Sequence, residues 1–422
     1  MTYLRKIVVI GGGASGLAAA LAAAQAANGT AQITVLERNQ KIGKKLLATG
    51  NGRCNLDNTG IAPEKYFSSD NAVLRKMLET VNNTDPLGWF ASLGLITRTD
   101  DAGRIYPYSN QASDVLALLE AHLNILNVHV RTGCTFETLM QSRGSYVVKF
   151  QTDSGSESLY ADAVICAMGG IAGPQFGTDG FGTQFAASCG GSMRALYPCL
   201  TPLKTQKADK RLAGIRAKGK ATLFAADKPI AEETGEIQFT DYGLSGICIM
   251  QLSCLLTPDV LNKKPCIELD LFADVPENEL AAMFISRAKH MIISGTPSNF
   301  WLGLLPAKLG QAVWGAAQLP TDTDVHTIKA DALAKLAHIA KHWRFEKLAP
   351  CDWKQAQTTG GGLSLTELEP DTFQFKGCPG LYFVGETLDC AGSCGGFNLH
   401  WAFGSGIVAG RAAASGKKHT RK

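Results

Sequence analysis

The sequence predicts an α/β fold in which a parallel sheet covered by helices is interrupted by a second, mainly antiparallel part. Residues 7–10 form a short β-branched run that leads into a glycine-rich turn and an alanine-rich helix. The same strand-then-glycine pattern returns at residues 163–170 and 381–396. Between residues 192 and 349, strand-like segments, Pro and Gly turns and helical stretches alternate instead.

Composition limits the possible classes of protein. The 422 residues suggest two or three domains at about 150 residues each. Hydrophobic residues make up 45% and charged residues 18%, which indicates a globular chain with a sizeable core. The net charge of +4 is small, so we predict no nucleic-acid partner. The basic ending at residues 417–422 is predicted to be a solvated tail, and composition leaves the oligomeric state open.

The cysteines and the N-terminus predict a cytoplasmic protein. The 12 cysteines are scattered, and several lie in apolar runs, as expected of reduced, buried thiols. The charge-free stretch at residues 7–36 contains three consecutive glycines after only four apolar residues, and mostly alanine follows. We therefore predict neither a signal peptide nor a membrane contact.

The first element is a phosphate-binding βαβ unit. Gly11 allows a tight turn, Gly13 lets a pyrophosphate approach the backbone, and Gly16 lets the helix pack closely on the strand. Ala14 and Ser15 open the helix, whose N-terminus favours phosphate. A second strand then ends in an acid at the spacing expected of a ribose ligand. That acid is Glu37, and Arg38 after it leaves FAD, NAD and NADP open.

Further glycine clusters favour FAD. In the loop at residues 44–58, Lys44, Lys45 and Arg53 are candidates to face the pyrophosphate. A flavin dinucleotide is long and buried along its length, so several strand ends must converge on it. Glu386, after the strand at 381–384, is a candidate for the ribityl chain, and a helix starting near Gly396 can point its positive end at flavin N1 and O2.

The motifs IVVIGGGASGLAAA, LLATGNGRCNLDN, GRIYPYS, GEIQFTDYGLSG and LYFVGETLDCAGSCGGFNLHWAFGSG occur in this order. Over nearly its whole length the chain resembles the aminoacetone-oxidase-like family of bacterial FAD-binding proteins. Many members of that family have no assigned substrate, and a bile-acid-pathway flavin reductase belongs to the same group. The chain departs from the family pattern at Cys390 and Cys394, where Val or Asp-like and Thr-like residues are expected, and at Ile247, where proline is common.

The resemblance implies an FAD domain in two parts, with the GNGRCN and GGFN motifs approaching the flavin. Together with the reasoning above, it gives a full set of predicted cofactor-binding residues. These are Gly11, Gly13, Ala14, Ser15, Gly16, Glu37, Arg38, Lys44, Lys45, Thr49, Gly50, Asn51, Gly52, Arg53, Cys54, Asn55, Ala167, Gly169, Gly170, Asp179, Gly385, Glu386, Gly395, Gly396, Phe397 and Asn398.

The predicted architecture is a Rossmann-like FAD-binding domain at residues 1–191 and 357–422 with an inserted β-barrel-like unit. That antiparallel β domain covers residues 192–275 and 344–356, and it carries a helical subdomain at 276–343. Within the insertion, the residue patterns predict a set of strands and helices. The strands are 218–225, 237–240, 247–256 and 266–271, and the helices are 277–293, 307–317 and 331–342, the last with Asp331 as N-cap.

Candidate chemistry outside the cofactor contacts is sparse. Candidates to face substrate are Tyr106, Asp241, Tyr242 and His400, each of which is equally compatible with a structural role. Cys390 and Cys394 are a candidate redox pair, although their spacing is not that of a CxxC dithiol.

A histidine pair raises the question of a metal. His338 and His342 are four residues apart, and Glu346 continues the step. The aromatic residues at 343–345 suggest that the helix ends before Glu346, so we predict a solvated helix face and no metal site.

The sequence thus predicts an FAD-dependent oxidoreductase that exchanges a hydride equivalent with a small organic substrate. Two chemistries stay open: oxidation of an amine with O₂, and NAD(P)H-driven reduction of an unsaturated or carbonyl compound. Because one clear GxGxxG is present, NAD(P)H would visit the flavin only transiently. A flavoprotein that binds or modifies RNA is the alternative from another class, and a plain NAD dehydrogenase is a third.

Overall fold

The computed structural model describes residues 4–142, 144–206 and 208–416, so the basic ending at 417–422 lies outside the described residues. The chain divides into two compact units. Unit 1 is Met1–Tyr197 with Gln357–Lys422, and unit 2 is Pro198–Ala356. Each unit has its own hydrophobic core. Among the described residues, no helix combines the length and the apolar character needed to span a bilayer.

Strands and helices alternate along the chain in three stretches. Residues up to 199 form β1 (Arg5–Ile10), α1 (Ala14–Ala27), β2 (Ala31–Leu36), α2 (Lys44–Ala48), β3 (Asp57–Asn58), β4 (Tyr66–Phe67), α3 (Asn71–Asn82), α4 (Pro86–Ser92), β5 (Thr97–Thr99), β6 (Arg104–Pro107), α5 (Ala112–Ile125), β7 (His129–Arg131), β8 (Thr135–Ser142), β9 (Ser145–Thr152), β10 (Gly155–Ala161), β11 (Ala163–Cys166), α6 (Phe181–Ser188) and β12 (Met193–Cys199). Residues 203–350 form β13 (Leu203–Lys204), β14 (Arg216–Ala225), β15 (Lys228–Phe239), β16 (Gly243–Ser245), α7 (Ile247–Ser253), α8 (Pro258–Leu261), β17 (Cys266–Asp270), α9 (Glu277–His290), α10 (Pro297–Phe300), α11 (Ala307–Ala316), α12 (Ala330–Lys341), β18 (Trp343–Phe345) and β19 (Ala349–Pro350). The last part forms β20 (Thr358–Leu363), β21 (Leu381–Phe383), β22 (Ala391–Gly392) and α13 (Phe397–Ser415).

A parallel sheet of order β21-β11-β1-β2-β7 is the centre of unit 1. In β1, Ile7 pairs with Ala163 of β11 on one side and with Ile33 of β2 on the other. The apolar residues of β1 and β11 are buried on both faces, as expected of a parallel sheet covered by helices. The predicted α/β class with a Rossmann-like core is therefore confirmed.

Helices α1 and α13 pack against each other at very short range, because small residues line the contact. A Cβ at Gly406 would meet the carbonyl oxygen of Ser15, and a Cβ at Gly410 would meet that of Ala19. A Cβ at Gly404 would meet the side chain of Val81 in α3. The small-residue sequence of α13 thus lets it lie on the helix that carries the phosphate turn.

Unit 2 contains an antiparallel sheet of order β18-β17-β14-β15-β16-β13-β19 and the helices α9 to α12. Its core includes the buried aromatic side chains of Phe284, Phe300, Trp301 and Trp314. The amine of Lys341 is held inside by polar partners. It lies 2.8 Å from Asp270 Oδ2 and donates to two backbone carbonyls, so its burial is compensated.

Two local predictions in unit 2 are wrong. The segment predicted as a strand at 247–256 begins as helix α7, because its buried residues Cys248, Ile249, Leu252 and Ser253 recur with a helical period. Asp331 is not an N-cap, since α12 begins at Ala330 with Lys329 as N-cap. The predicted end of this helix before Glu346 is confirmed, because α12 ends at Lys341 and β18 follows.

Candidate functional site

The glycine-rich turn between β1 and α1 has the shape that a phosphate needs. A Cβ at Gly11 would meet the carbonyl oxygen of Ala167, and one at Gly16 would meet that of Gly11. Nothing lies within 4 Å of a Cβ built at Gly13, the N-cap of α1. Gly11 and Gly16 are thus required for packing, while Gly13 leaves open space next to the helix N-terminus, where a pyrophosphate is favourable.

Glu37 lies at the end of β2 with its carboxylate against this turn. Its side chain is almost fully buried; Oε2 accepts from the Gly12 N–H at 2.8 Å and Oε1 from the Asn39 N–H at 2.7 Å. The next residue, Arg38, pairs with Asp179 at 2.6 Å, so these two predicted residues are neighbours. The carboxylate is therefore fixed where an adenosine ribose would follow the pyrophosphate.

A second group of contacts joins four elements of unit 1. Lys45 Nζ lies 2.6 Å from Glu386 Oε2 and donates to the Ala172 carbonyl at 2.9 Å. Glu386 Oε1 accepts from both the backbone N–H and the hydroxyl of Thr359, at 3.0 and 2.7 Å. A Cβ at Gly170 would meet the Thr359 and Glu386 side chains. Helix α2, the turn after β11, strand β20 and the turn after β21 thus converge.

Thr359 was missed by sequence reasoning. It is completely buried, and its Oγ1 also accepts from the N–H groups of Ile171 and Ala172 at 2.9 and 3.0 Å. It therefore orients both Glu386 and the glycine-rich turn after β11. The available signal was weak: a run of two threonines and three glycines in β20.

The GNGRCN and GGFN motifs lie side by side. Asn58 Nδ2 donates to the Gly395 carbonyl at 2.8 Å, and the Asn55 amide, oriented to satisfy its neighbours, accepts from the Gly396 N–H at 3.1 Å. Asn398 exchanges two 2.8 Å hydrogen bonds with the backbone of Gly392 and so folds the preceding loop onto the start of α13. The N-terminus of α13 is thereby held against the first motif, while the approach of both motifs to a flavin stays a prediction.

His400 lies in the interior beneath the first turn of α13. It is buried; Nδ1 lies 3.0 Å from Asp57 Oδ2, and Nε2 lies 3.0 Å from the side-chain oxygen of Asn82. These contacts give His400 a structural role between α13, β3 and α3. Tyr106, in β6, is also buried, and the Arg53 guanidinium stacks 4.7 Å above its ring centroid.

The remaining candidates are placed as follows. Burial raises the pKa of the Cys54 thiol to about 12 and holds that of Cys390 well above its usual value, so both stay protonated at neutral pH. Cys394 is half-buried, and a redox role for the Cys390 and Cys394 pair stays a prediction.

Asp241 and Tyr242 belong to unit 2, between β15 and β16, where burial raises the pKa of Tyr242. Their substrate contact also stays a prediction.

The elements gathered in unit 1 match the parts of an FAD site: a phosphate turn, a ribose carboxylate, converging strand ends and a helix N-terminus. Fold and site together define an FAD-dependent oxidoreductase of the Rossmann type. The chain belongs to the HI0933-like protein family, whose Rossmann-domain profile matches residues 5–412. The narrower aminoacetone-oxidase-like assignment stays a prediction.

Several known proteins are similar to this chain over nearly its whole length. The 3-dehydro-bile acid delta(4,6)-reductase of Clostridium scindens is 35% identical over 97% of this chain and 99% of its own length. The ribosomal RNA dihydrouridine synthase of Haemophilus influenzae is 25% identical over 96% of this chain and 97% of its own. Among solved structures, the 3-ketosteroid-delta4-(5alpha)-dehydrogenase of Rhodococcus jostii RHA1 covers 98% of both chains with a TM-score of 0.52 and 15% identity, which shows a shared fold.

Proposed function

We propose that the chain is an NAD(P)H-dependent reductase that uses FAD to saturate a carbon–carbon double bond conjugated with a carbonyl in a small organic substrate. The observation that carries this proposal is the similarity to the bile acid reductase over nearly the full length of both chains. The cofactor part rests on two groups in unit 1: the open turn at Gly13 with Glu37 beside it, and the Lys45–Glu386 pair.

The residues present fit FAD. The open space at Gly13 would take the pyrophosphate, and Glu37 would accept the ribose hydroxyls with lone pairs that its backbone partners leave unused. Lys45 and Glu386 form a polar, oriented pair suited to a ribityl chain. Bound FAD supplies two-electron chemistry, accepting and delivering a hydride equivalent.

Chain residues would tune this chemistry by electrostatics. Helix α13 runs for 19 residues, and its first turn is bound to the GNGRCN loop through Asn55 and Asn58. A helix N-terminus carries a partial positive charge, so it favours an electron-rich ring that lies close to it. The rigid junction therefore keeps this charge in a fixed position through the reaction.

The reactions of two relatives involve the same kind of double bond. A delta(4,6)-reductase of a 3-dehydro bile acid and a dihydrouridine synthase both saturate a double bond conjugated with a carbonyl. In such a substrate the β-carbon takes the hydride and the α-carbon takes a proton. This shared chemistry favours reduction over the oxidation of an amine with O₂.

The test uses purified, FAD-loaded protein without oxygen. We expect NADH or NADPH to bleach the flavin absorption, and an α,β-unsaturated ketone such as a 4-en-3-one steroid to restore it with formation of the saturated ketone. A saturated ketone of the same skeleton is the control. Failure of both nicotinamide nucleotides to reduce the flavin, or failure of every enone to reoxidise it, would refute the proposal. If amines reduce the flavin and only air reoxidises it, the result would support an amine oxidase instead.

RNA is the second candidate substrate, because two ribosomal RNA dihydrouridine synthases match the chain over almost their entire lengths, at 25% and 23% identity. A uracil ring contains the same conjugated double bond. The two candidate substrates are distinguished by incubating the reduced enzyme with ribosomal RNA that lacks dihydrouridine. The nucleosides are then analysed by mass spectrometry. Dihydrouridine formation together with salt-dependent RNA binding would favour RNA over a small molecule.

A further inference from the structure

A compact group of metal-ligating side chains lies in unit 2, outside the proposed cofactor site. Glu277 is the first residue of α9, and His338 and His342 lie one turn apart at the end of α12. One ligand atom from each lies within 4.8 Å of the other two. Glu346, which continues the histidine spacing in the sequence, is not in this group, because α12 ends at Lys341. The sequence predicted no metal site here, and the third side chain, Glu277, comes from another helix.

The three side chains already point at one another. His338 Nδ1 lies 2.9 Å from Glu277 Oε1, and His342 Nε2 lies 3.1 Å from Glu277 Oε2. A tetrahedral Zn²⁺ ion with bonds of about 2.0–2.1 Å holds its ligand atoms about 3.4 Å apart. The two present contacts are shorter than that by a few tenths of an ångström, and each uses a different carboxylate oxygen, so an ion would bind after a local rearrangement of the three side chains.

A supporting carboxylate orients one of the two imidazoles. Glu268 on β17 is largely buried, and its Oε1 lies 2.8 Å from His342 Nδ1 while its Oε2 accepts from Arg344 Nε at 2.8 Å. Because Glu268 accepts the Nδ1 hydrogen, Nε2, which faces Glu277, is the nitrogen at which a metal ion would replace a hydrogen. Metal-binding histidines are typically oriented by such a carboxylate on the opposite nitrogen.

We propose that Glu277, His338 and His342 form a binding site for a Zn²⁺-class divalent cation, with water in the fourth position. Two imidazoles and one carboxylate suit Zn²⁺, Co²⁺ or Ni²⁺ and not the oxygen-preferring Mg²⁺. The side chains are between 38% and 55% exposed, so an ion can enter from solvent. Bound there, it would connect the start of α9 to the end of α12 and stabilise the helical subdomain.

The experiment uses the full-length, FAD-loaded protein, stripped of metal and kept reduced. Zn²⁺ binding is measured by competition with a chromogenic chelator, and Co²⁺ binding by tetrahedral ligand-field bands at wavelengths beyond the flavin absorption. We expect one Zn²⁺ per chain, the cobalt bands, a higher melting temperature with Zn²⁺, and no shift with Mg²⁺.

The variants His338→Gln and His342→Gln should each weaken Zn²⁺ binding at least about tenfold and abolish the cobalt bands. His290→Gln, which changes a histidine of α9 outside the group, is the matched control and should bind as the unchanged chain does. If a histidine variant has a lower metal-free melting temperature than the unchanged chain, the Glu277→Gln variant is used in its place. This substitution removes one ligand charge and keeps the size of the side chain. Equal Zn²⁺ binding by these variants and the unchanged chain, or no binding at all, would overturn the proposal.

Discussion

Replacing Gly410 by alanine tests the close contact between α1 and α13. The new Cβ would meet the carbonyl oxygen of Ala19 and would lie 3.0 Å from the backbone nitrogen of Ala23. Both are helix backbone atoms, so relief requires α13 to move away from α1. Overpacking of this kind costs about 1–3 kcal/mol, whereas alanine in place of glycine gains up to about 1 kcal/mol of helix propensity. Contact with fixed backbone places the cost in the upper part of that range, about 2–3 kcal/mol, so we expect a net loss of about 1–2 kcal/mol in unit 1.

The assay follows the release of FAD fluorescence during thermal unfolding, because this signal reports on the unit that holds the phosphate turn. A loss of 1 kcal/mol lowers the melting temperature by about 2–4 °C for domains of about 150–250 residues. FAD content after purification should fall as well, since α1 carries Gly13 at its N-cap.

Gly315→Ala in α11 is the matched control. Nothing lies within 4 Å of a Cβ at this helical glycine, so the same substitution should leave unit 2 unchanged or stabilise it by up to about 1 kcal/mol. If Gly410→Ala proves as stable as the unchanged chain, steric exclusion at the α1–α13 contact is not what requires glycine there.

Four further outcomes are expected. Glu37→Arg should purify with little FAD, because it places a cation where ribose hydroxyls need an acceptor; the released cofactor is measured by chromatography. Glu386→Gln should weaken FAD binding about tenfold, since it removes a charged hydrogen bond, and a fluorescence titration of apoprotein measures this. Asp57→Ala should cost about 1–3 kcal/mol in denaturant unfolding by leaving the buried His400 ring without its acceptor, and Asp57→Asn should cost less. With a pKa raised from 9.0 to about 12, Cys54 has roughly a thousandfold lower thiolate fraction than a free thiol below pH 9; mass spectrometry after iodoacetamide treatment should therefore find it unlabelled in the folded protein, with labelling rising only as pH approaches 12.

Local patterns made unit 1 predictable. The run of β-branched residues in β1, the glycines after it and the acid after β2 each follow from the chemistry of a few neighbouring residues. Glu37 and Glu386 could be proposed for the same reason, since Glu37 directly follows β2 and Glu386 lies shortly after β21, both strands of the parallel sheet. These sequence patterns can be recognised because only a few residue types fit a buried parallel strand.

The errors arose where burial by distant residues decides the structure. Helix α7 consists of a short apolar run whose side chains fit either a strand or a helix, and only the burial of Cys248 and Leu252 on one side distinguishes them. Thr359 and Glu277 have no distinguishing neighbours in sequence, because their partners Glu386 and His338 come from other elements. Chain spacing carries no information about such pairs.

The order of strands in unit 1 also bears on biosynthesis. The edge strand β21 and the helix α13, which complete the phosphate turn's surroundings, follow unit 2 in the chain and so leave the ribosome after it. Unit 2 is contiguous from Pro198 to Ala356, so all of it is translated while the first half of unit 1 still lacks these partners. The phosphate turn therefore acquires these partners only after unit 2 has been translated, and a truncation before α13 would remove the helix that packs on α1.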